Sequence, residues 1–212
     1  AYRRSQRVEK RLADKRARIL RAARQLVAEG GFREAQVAAV AAVAGVATGT
    51  VYRYFPSKAD LFAEVLRQTS QREVDVVSQI ASSGGSASTR VADGVRAFAT
   101  RAIRGRRLAY ALIAEPVDPE IDSARLEYRH ALGQVFEGMI TEGVEAGEFV
   151  PQNVEASAAC VVGALIEGLV GPLSPRSKTL EHDREHLVEA IVCFCLRALS
   201  SDDDYESRLG RS

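Results

Sequence analysis

Apolar residues recur every three to four positions along most of this chain, and no stretch alternates in the manner of a strand. Ala17, Ile19, Leu20, Ala22, Ala23, Leu26 and Val27 make a first helical stripe. Asp14 is placed to cap its start, and Gly30-Gly31 to end it at about residue 29. A short second helix is expected over about residues 36–43, with a turn at Gly45 and a third helix over about 48–54, stopped by Pro56. Ser57 and Asp60 have the spacing of a capping box and open a long fourth helix, about 58–79. Ser82-Ser83-Gly84-Gly85-Ser86 reads as a loop. Further helical patterns cover about 88–113, 123–146, 154–173 and 182–199, with a break at Pro116 and Pro119. The pattern predicts an all-α protein of about nine helices, with a small domain over 1–60 and a larger helical domain over 61–212.

Residues 31–61 hold the densest local signals. Val37, Val40, Ala41, Ala44 and Val46 give the second helix and its turn an apolar side, which Val51 and Phe55 face from the third helix. Side chains this small let two helices cross closely at a steep angle, the layout of a helix-turn-helix DNA reader. Thr48, Gly49 and Arg53 then point outward toward base edges. A Thr methyl can meet a thymine methyl, Arg can pair with guanine, and Gly49 removes bulk. Thr50, Tyr52, Tyr54 and Lys58 suit phosphate: hydroxyls donate to its oxygens, and Lys58 lies near a helix start that favours anions. Taken singly, Tyr52 and Tyr54 also read as half-buried core aromatics.

Charge sharpens this picture. The net charge of +1 hides a basic start, with Arg3, Arg4, Arg7, Lys10, Arg11, Lys15, Arg16, Arg18, Arg21 and Arg24 opposed only by Glu9 and Asp14. The far end is acidic, with Asp202, Asp203, Asp204 and Glu206. Such an asymmetry points to a polyanion partner for the basic end. Residues 1–13 are expected to form an arm that is mobile when unbound. Lys15 and Arg16, falling in a first helical turn where the dipole disfavours cations, are expected to face phosphates.

The residues Gly31-Phe32, Ala41, Ala44-Gly45-Val46, Thr50, Tyr52, Tyr54-Phe55, Ser57-Lys58 and Leu61 together resemble the DNA-binding domain of the TetR/AcrR family of transcriptional regulators, over residues 18–61. The resemblance implies a cytoplasmic, homodimeric, ligand-responsive repressor that binds a palindromic operator. It also implies a C-terminal domain holding a small-molecule effector and the dimer interface. The apolar helices at 154–173 and 182–199 would then pair with their copies, helped by Ala159, Gly163, Gly168 and Gly171. Phe98, Arg101, Ile103, Tyr110, Glu115, Tyr128, Phe136 and Met139 are candidates to enclose the effector, whose identity the sequence does not reveal. The chain departs from the family where the second helix usually opens on Thr or Ser. Gln36 stands there, a weaker cap that can still donate to phosphate. Ala47 opens the third helix in place of a polar residue, and Thr48 could take over the capping.

Other chemistry finds little support. Cys160, Cys193 and Cys195 are few, odd in number and set in apolar runs, so reduced, buried thiols are expected. No Gly-rich phosphate loop or Cys-x-x-Cys pair implies a cofactor or catalysis. His182-Asp183-Arg184-Glu185-His186 matches H-x-x-E-H, a zinc-hydrolase pattern, but a capped, solvated first turn explains it without metal. A zinc hydrolase, or a helical interaction protein without operator binding, are the competing classes. No segment is expected to reach the roughly 18 apolar residues of a membrane span, the best being interrupted by Glu167. The chain opens on Ala1, as a processed or truncated start would.

Overall fold

In a computed structural model, the structure describes residues 2–178, 180 and 183–200. Among these residues there are nine α-helices and no strand. They are α1 (Tyr2–Glu34), α2 (Val37–Ala44), α3 (Thr48–Tyr54), α4 (Lys58–Ala81), α5 (Ala87–Arg104), α6 (Arg106–Ile113), α7 (Pro119–Glu145), α8 (Val154–Leu173) and α9 (Arg184–Leu199). The fold is all-α, as the periodicity predicts.

The described residues group into two compact units. One lies within Ala1–Gln71, Gly105–Tyr128 and Leu173–Pro175; the other lies within Arg72–Arg104, Arg129–Pro172 and Arg176–Ser212. In the first, α1 lies against α2 and α6, and α2 against α3. Its core includes Ile19, Ala23, Val27, Val40, Val51, Leu61, Phe62 and Leu66. The rings of Phe32 and Phe62 meet edge to face at 5.8 Å. In the second unit α5 lies against α9, over a core that includes Val95, Phe98, Leu132, Phe136, Leu165 and Leu169.

Several expectations are corrected. The first helix begins at Tyr2, not at Asp14, so the basic arm is helical. No Gly or Pro interrupts residues 1–29, and Arg, Lys, Gln, Glu, Leu and Ala all favour helix. Lys15 and Arg16 therefore sit mid-helix and meet no dipole penalty. Arg16 pairs with Glu64 at 3.0 Å and lies 5.1 Å over the Phe55 ring, so its guanidinium is engaged within the unit. The expected helix over 88–113 is two helices, parted at Gly105. Pro119 begins α7 instead of breaking the chain; at the first helical position its missing N–H costs nothing.

Of the cysteines, only Cys195 is buried, and burial pushes its thiol up to about 11. Cys160 and Cys193 are exposed on outward faces of α8 and α9. The α8 helix is also long and apolar enough, by length and composition, to cross a membrane, because Glu167 is a minor interruption among Ala, Gly and Val. Its buried positions, Ala158, Val161, Val162, Leu165, Ile166 and Leu169, follow one helical face of a mixed-exposure helix. The acidic residues 202–206 lie outside the described residues.

Candidate nucleic-acid interface

The local sequence builds the two crossing helices directly. Val37, Val40, Ala41 and Ala44 bury one face of α2, and α2 and α3 are bent by 101° at the turn between them. Gly45 makes that turn at φ 63°, in the left-handed region that glycine tolerates. The Val46 N–H closes it onto the Ala41 carbonyl at 3.0 Å, a glycine-terminated helix end. Arg18 of α1 completes the cap by donating to the Ala44 carbonyl at 2.6 Å and to the Gly45 carbonyl at 3.3 Å. Charge alone puts Arg18 among the cations for a polyanion, and nothing local announces its contact with a turn 26 residues away.

With Val51 and Phe55 buried against this support, the opposite side of α3 faces outward. Thr48, Gly49, Tyr52 and Arg53 are exposed, and Thr50 and Tyr54 are half-buried. Tyr52 is 45% exposed, which excludes it from the core. A Cβ added at Gly49 would meet nothing within 4 Å, so the fold itself does not demand glycine there. Ala47 is the N-cap of α3 and supplies no side-chain bond; Thr48 lies in the first turn and does not take over capping. Gln36 is the N-cap of α2, also without a capping bond, and its amide donates to the Arg33 carbonyl at 3.3 Å.

The capping box at the start of α4 forms as the sequence predicts. The Asp60 N–H donates to Ser57 Oγ at 2.9 Å, and the Ser57 N–H donates to Asp60 Oδ2 at 3.1 Å. Just inside it, Lys58 is half-buried with its Nζ 5.8 Å over the Phe62 ring. On α1, Lys10, Arg11, Lys15, Arg21 and Arg24 are exposed. The unit thus joins an outward helix face of hydroxyls and one guanidinium to further cations on α1 and α4. This is a chemistry for phosphate and base edges.

Residues 19–65 match the family model for bacterial regulatory proteins of the tetR family. Over these residues the chain carries the N-terminal domain of the tetR family of bacterial regulatory proteins. The regulator is 46% identical over 59 residues to the HTH-type transcriptional repressor KstR of Rhodococcus jostii, covering 28% of each chain. That match spans well under a third of the relative's length. A fatty acid metabolism regulator protein of Bacillus subtilis is 25% identical over 137 residues, covering 61% of this chain and 68% of the relative. The fold is similar to that of the transcriptional regulator FadR from Bacillus subtilis in complex with stearoyl-CoA. The TM-score is 0.73 at 19% identity, over 86% of this chain and 98% of that one. The regulator is a DNA-binding protein with an N-terminal helix-turn-helix domain.

The sequence-predicted effector residues of the regulator are dispersed. Phe98 and Phe136 are buried in the second unit. Arg101, in the same unit, is engaged by both carboxylate oxygens of Glu73 at 2.6 and 2.9 Å, which raises its pKa. Tyr110 is half-buried on α6 and Tyr128 buried on α7, both in the first unit. Glu115, another cavity candidate, instead receives backbone N–H groups of α1. In the second unit, open clefts of about 330 Å³ between α8 and α9 and about 590 Å³ between α7 and α8 are lined by none of these. Of the H-x-x-E-H stretch, His182 lies outside the described residues and His186 is exposed. Among the described residues, no group of three or more His, Cys, Asp or Glu could hold a metal ion.

Proposed function

We propose that the chain is a cytoplasmic repressor acting as a homodimer on a palindromic operator, and that a small-molecule effector releases it. Residues 1–60 would form the reader and 61–212 the controlling and dimerising body. The observation that carries this reading is the outward face of α3, with Thr48, Gly49 and Arg53 exposed beside Tyr52 on a helix backed by buried Val51 and Phe55. Thr48 and Arg53 would read bases, Gly49 would allow close approach, and Gln36, Thr50, Tyr52, Tyr54 and Lys58 would hold phosphates. The exposed cations of α1 would add sequence-independent attraction.

Dimerisation through α8 and α9 is supported by what those helices leave uncovered. Phe194 is 57% exposed, and Ala156, Cys160, Gly163 and Gly171 are small residues on the outer face of α8, interrupted there by exposed Glu167. An apolar surface of this kind is stable in water when a second copy covers it. The effector reading draws on the Bacillus subtilis FadR structure, whose bound stearoyl-CoA makes acyl-CoA thioesters the first molecules to try.

The test is an electrophoretic shift of double-stranded fragments from the protein's own upstream region at low ionic strength, with and without acyl-CoA. Retardation that acyl-CoA reverses supports the whole reading. Failure to retard any fragment rejects DNA binding, and retardation that acyl-CoA leaves unchanged rejects that effector class.

A further inference from the structure

The path of the chain from α1 into the reader is fixed by a residue far away in sequence. At Gly31 the backbone of α1 leaves helical geometry, with φ 80° and ψ 178°. The turn that follows starts with N–H groups that have no partner from the preceding helix. One carboxylate takes up both: the Phe32 N–H donates to Glu115 Oε2 and the Arg33 N–H to Glu115 Oε1, each at 3.0 Å. An anionic acceptor at a helix start is the favourable sign of charge, and bonds to an ionised acceptor are the stronger kind. A Cβ at Gly31 would collide with this carboxylate, so glycine is required both for its φ and for the approach of Glu115.

Glu115 is itself held. It follows the last turn of α6, with its N–H on the Tyr110 carbonyl at 3.2 Å. Arg125 of α7, buried to 8% exposure, donates to the Glu115 and Leu112 carbonyls at 2.8 Å and to the Ala111 carbonyl at 3.3 Å. Its cation thus meets the negative end of α6 and satisfies carbonyls that a helix end leaves open. At the other end of α6, Arg106 donates to the Leu173 carbonyl at 3.1 Å and to that of Ser174. All of these residues belong to the first unit.

We propose that Glu115 is a positioning residue for DNA reading. It touches no DNA; it sets the entry of the chain into α2, and hence the pose of α3, as long as Arg125 keeps the end of α6 in place. A reading surface needs its side chains held to a fraction of an ångström, and loss of the carboxylate frees the segment that sets them. The functional half of this inference rests on the DNA-binding reading above; the clamp itself is testable without DNA.

The experiment compares the full-length wild type with Glu115→Ala and Glu115→Gln. It reads amide hydrogen exchange and the affinities for two probes: a duplex that the wild type selects from a random pool, and a scrambled duplex. Glu115→Ala is expected to speed exchange at Phe32 and Arg33 by about tenfold or more while Val40 and Leu61 stay protected. It should weaken the selected duplex about tenfold and leave the scrambled duplex and the salt dependence unchanged, since those report phosphate charge. Glu115→Gln, with one oxygen left to accept, should fall between, and it carries both readouts should the alanine variant not fold. Unchanged exchange at Phe32 and Arg33 overturns the clamp. Faster exchange with an unaltered selected-to-scrambled ratio overturns the positioning role, because it is what a purely structural cap would give. If the wild type binds neither duplex, the DNA-binding reading fails and the exchange data still decide the clamp.

Discussion

The first unit brings short helices together on small side chains, while both units tie their edges with charged ones, Arg16 to Glu64 and Arg67 to Glu127 in the first. In the first, alanines and valines let α1, α2 and α3 approach, and backbone groups are finished by Arg18 and Glu115. In the second, Arg101 grips Glu73, Arg96 grips Glu189 at 2.7 and 3.1 Å, and Arg90 meets Glu142 at 2.5 Å. The outward faces differ as well: hydroxyls and cations on the reader, but Phe194, Cys160 and Cys193 on α8 and α9. Phe194 and the small residues of α8 are the surface that the proposed dimer would cover. Exposed ion pairs add little stability, so the second unit depends chiefly on its apolar core.

The contrast breaks most sharply at Phe62, which is fully buried under the reader. Phe62→Ala should cost about 3–5 kcal/mol in chemical denaturation and abolish DNA binding with it. Phe194→Asp, on the other side of the comparison, should leave the melting temperature of the monomer nearly unchanged. In light scattering it should dissociate the dimer, by at least about 2 kcal/mol if Phe194 is a central contact. A folded variant that stays dimeric would remove α9 from the interface.

Smaller effects separate roles within the reader. Arg53→Ala should cost about 1–3 kcal/mol on the selected site and relax preference at one base pair. Lys58→Ala should weaken all duplexes alike and lower the salt slope by about 1. Gly49→Ala has open space around it and should stabilise the fold by up to about 1 kcal/mol while weakening the operator complex. Retained operator affinity would mean that DNA does not approach Gly49 closely.

The smallest expected effect is in acid. Glu148 accepts the backbone N–H groups of Ser88 and Ala87 at 2.9 and 3.0 Å, which lowers its pKa from an ordinary 4.5. A carboxylate held below its unfolded value stabilises the fold above about pH 4.5, and that contribution fades as the pH falls through the folded value. Denaturation curves of wild type and Glu148→Gln should therefore differ at neutral pH and converge in acid.

Much of the reader was legible because its signals are local. The Gly45 turn, the Ser57 and Asp60 box, and the spacing of Val37, Val40, Ala41 and Ala44 each act within one or two helical turns. The same locality fixed α3 and α8 to their observed ends. What escaped was nonlocal. Glu115 reads as a loop-side carboxylate until its partners at Phe32 and Arg33 are seen, and Arg16 and Arg18 read as part of a basic tract until Glu64 and the Ala44 carbonyl claim them. The start of α1 escapes for another reason: Asp14 is a competent cap, but nothing before it breaks a helix. Effector residues were the least legible, since buried aromatics such as Phe98 and Phe136 look the same in sequence whether they fill a core or line a cavity.

The most direct test of the central claim is selection of duplexes by the full-length protein from a random pool, followed by sequencing of the bound fraction. The account predicts an inverted repeat whose half-sites are centred about 10–10.5 base pairs apart or a multiple of that, with Arg53→Ala blurring one position in each half. Recovery of no enriched sequence, or of a single half-site without symmetry, would contradict it.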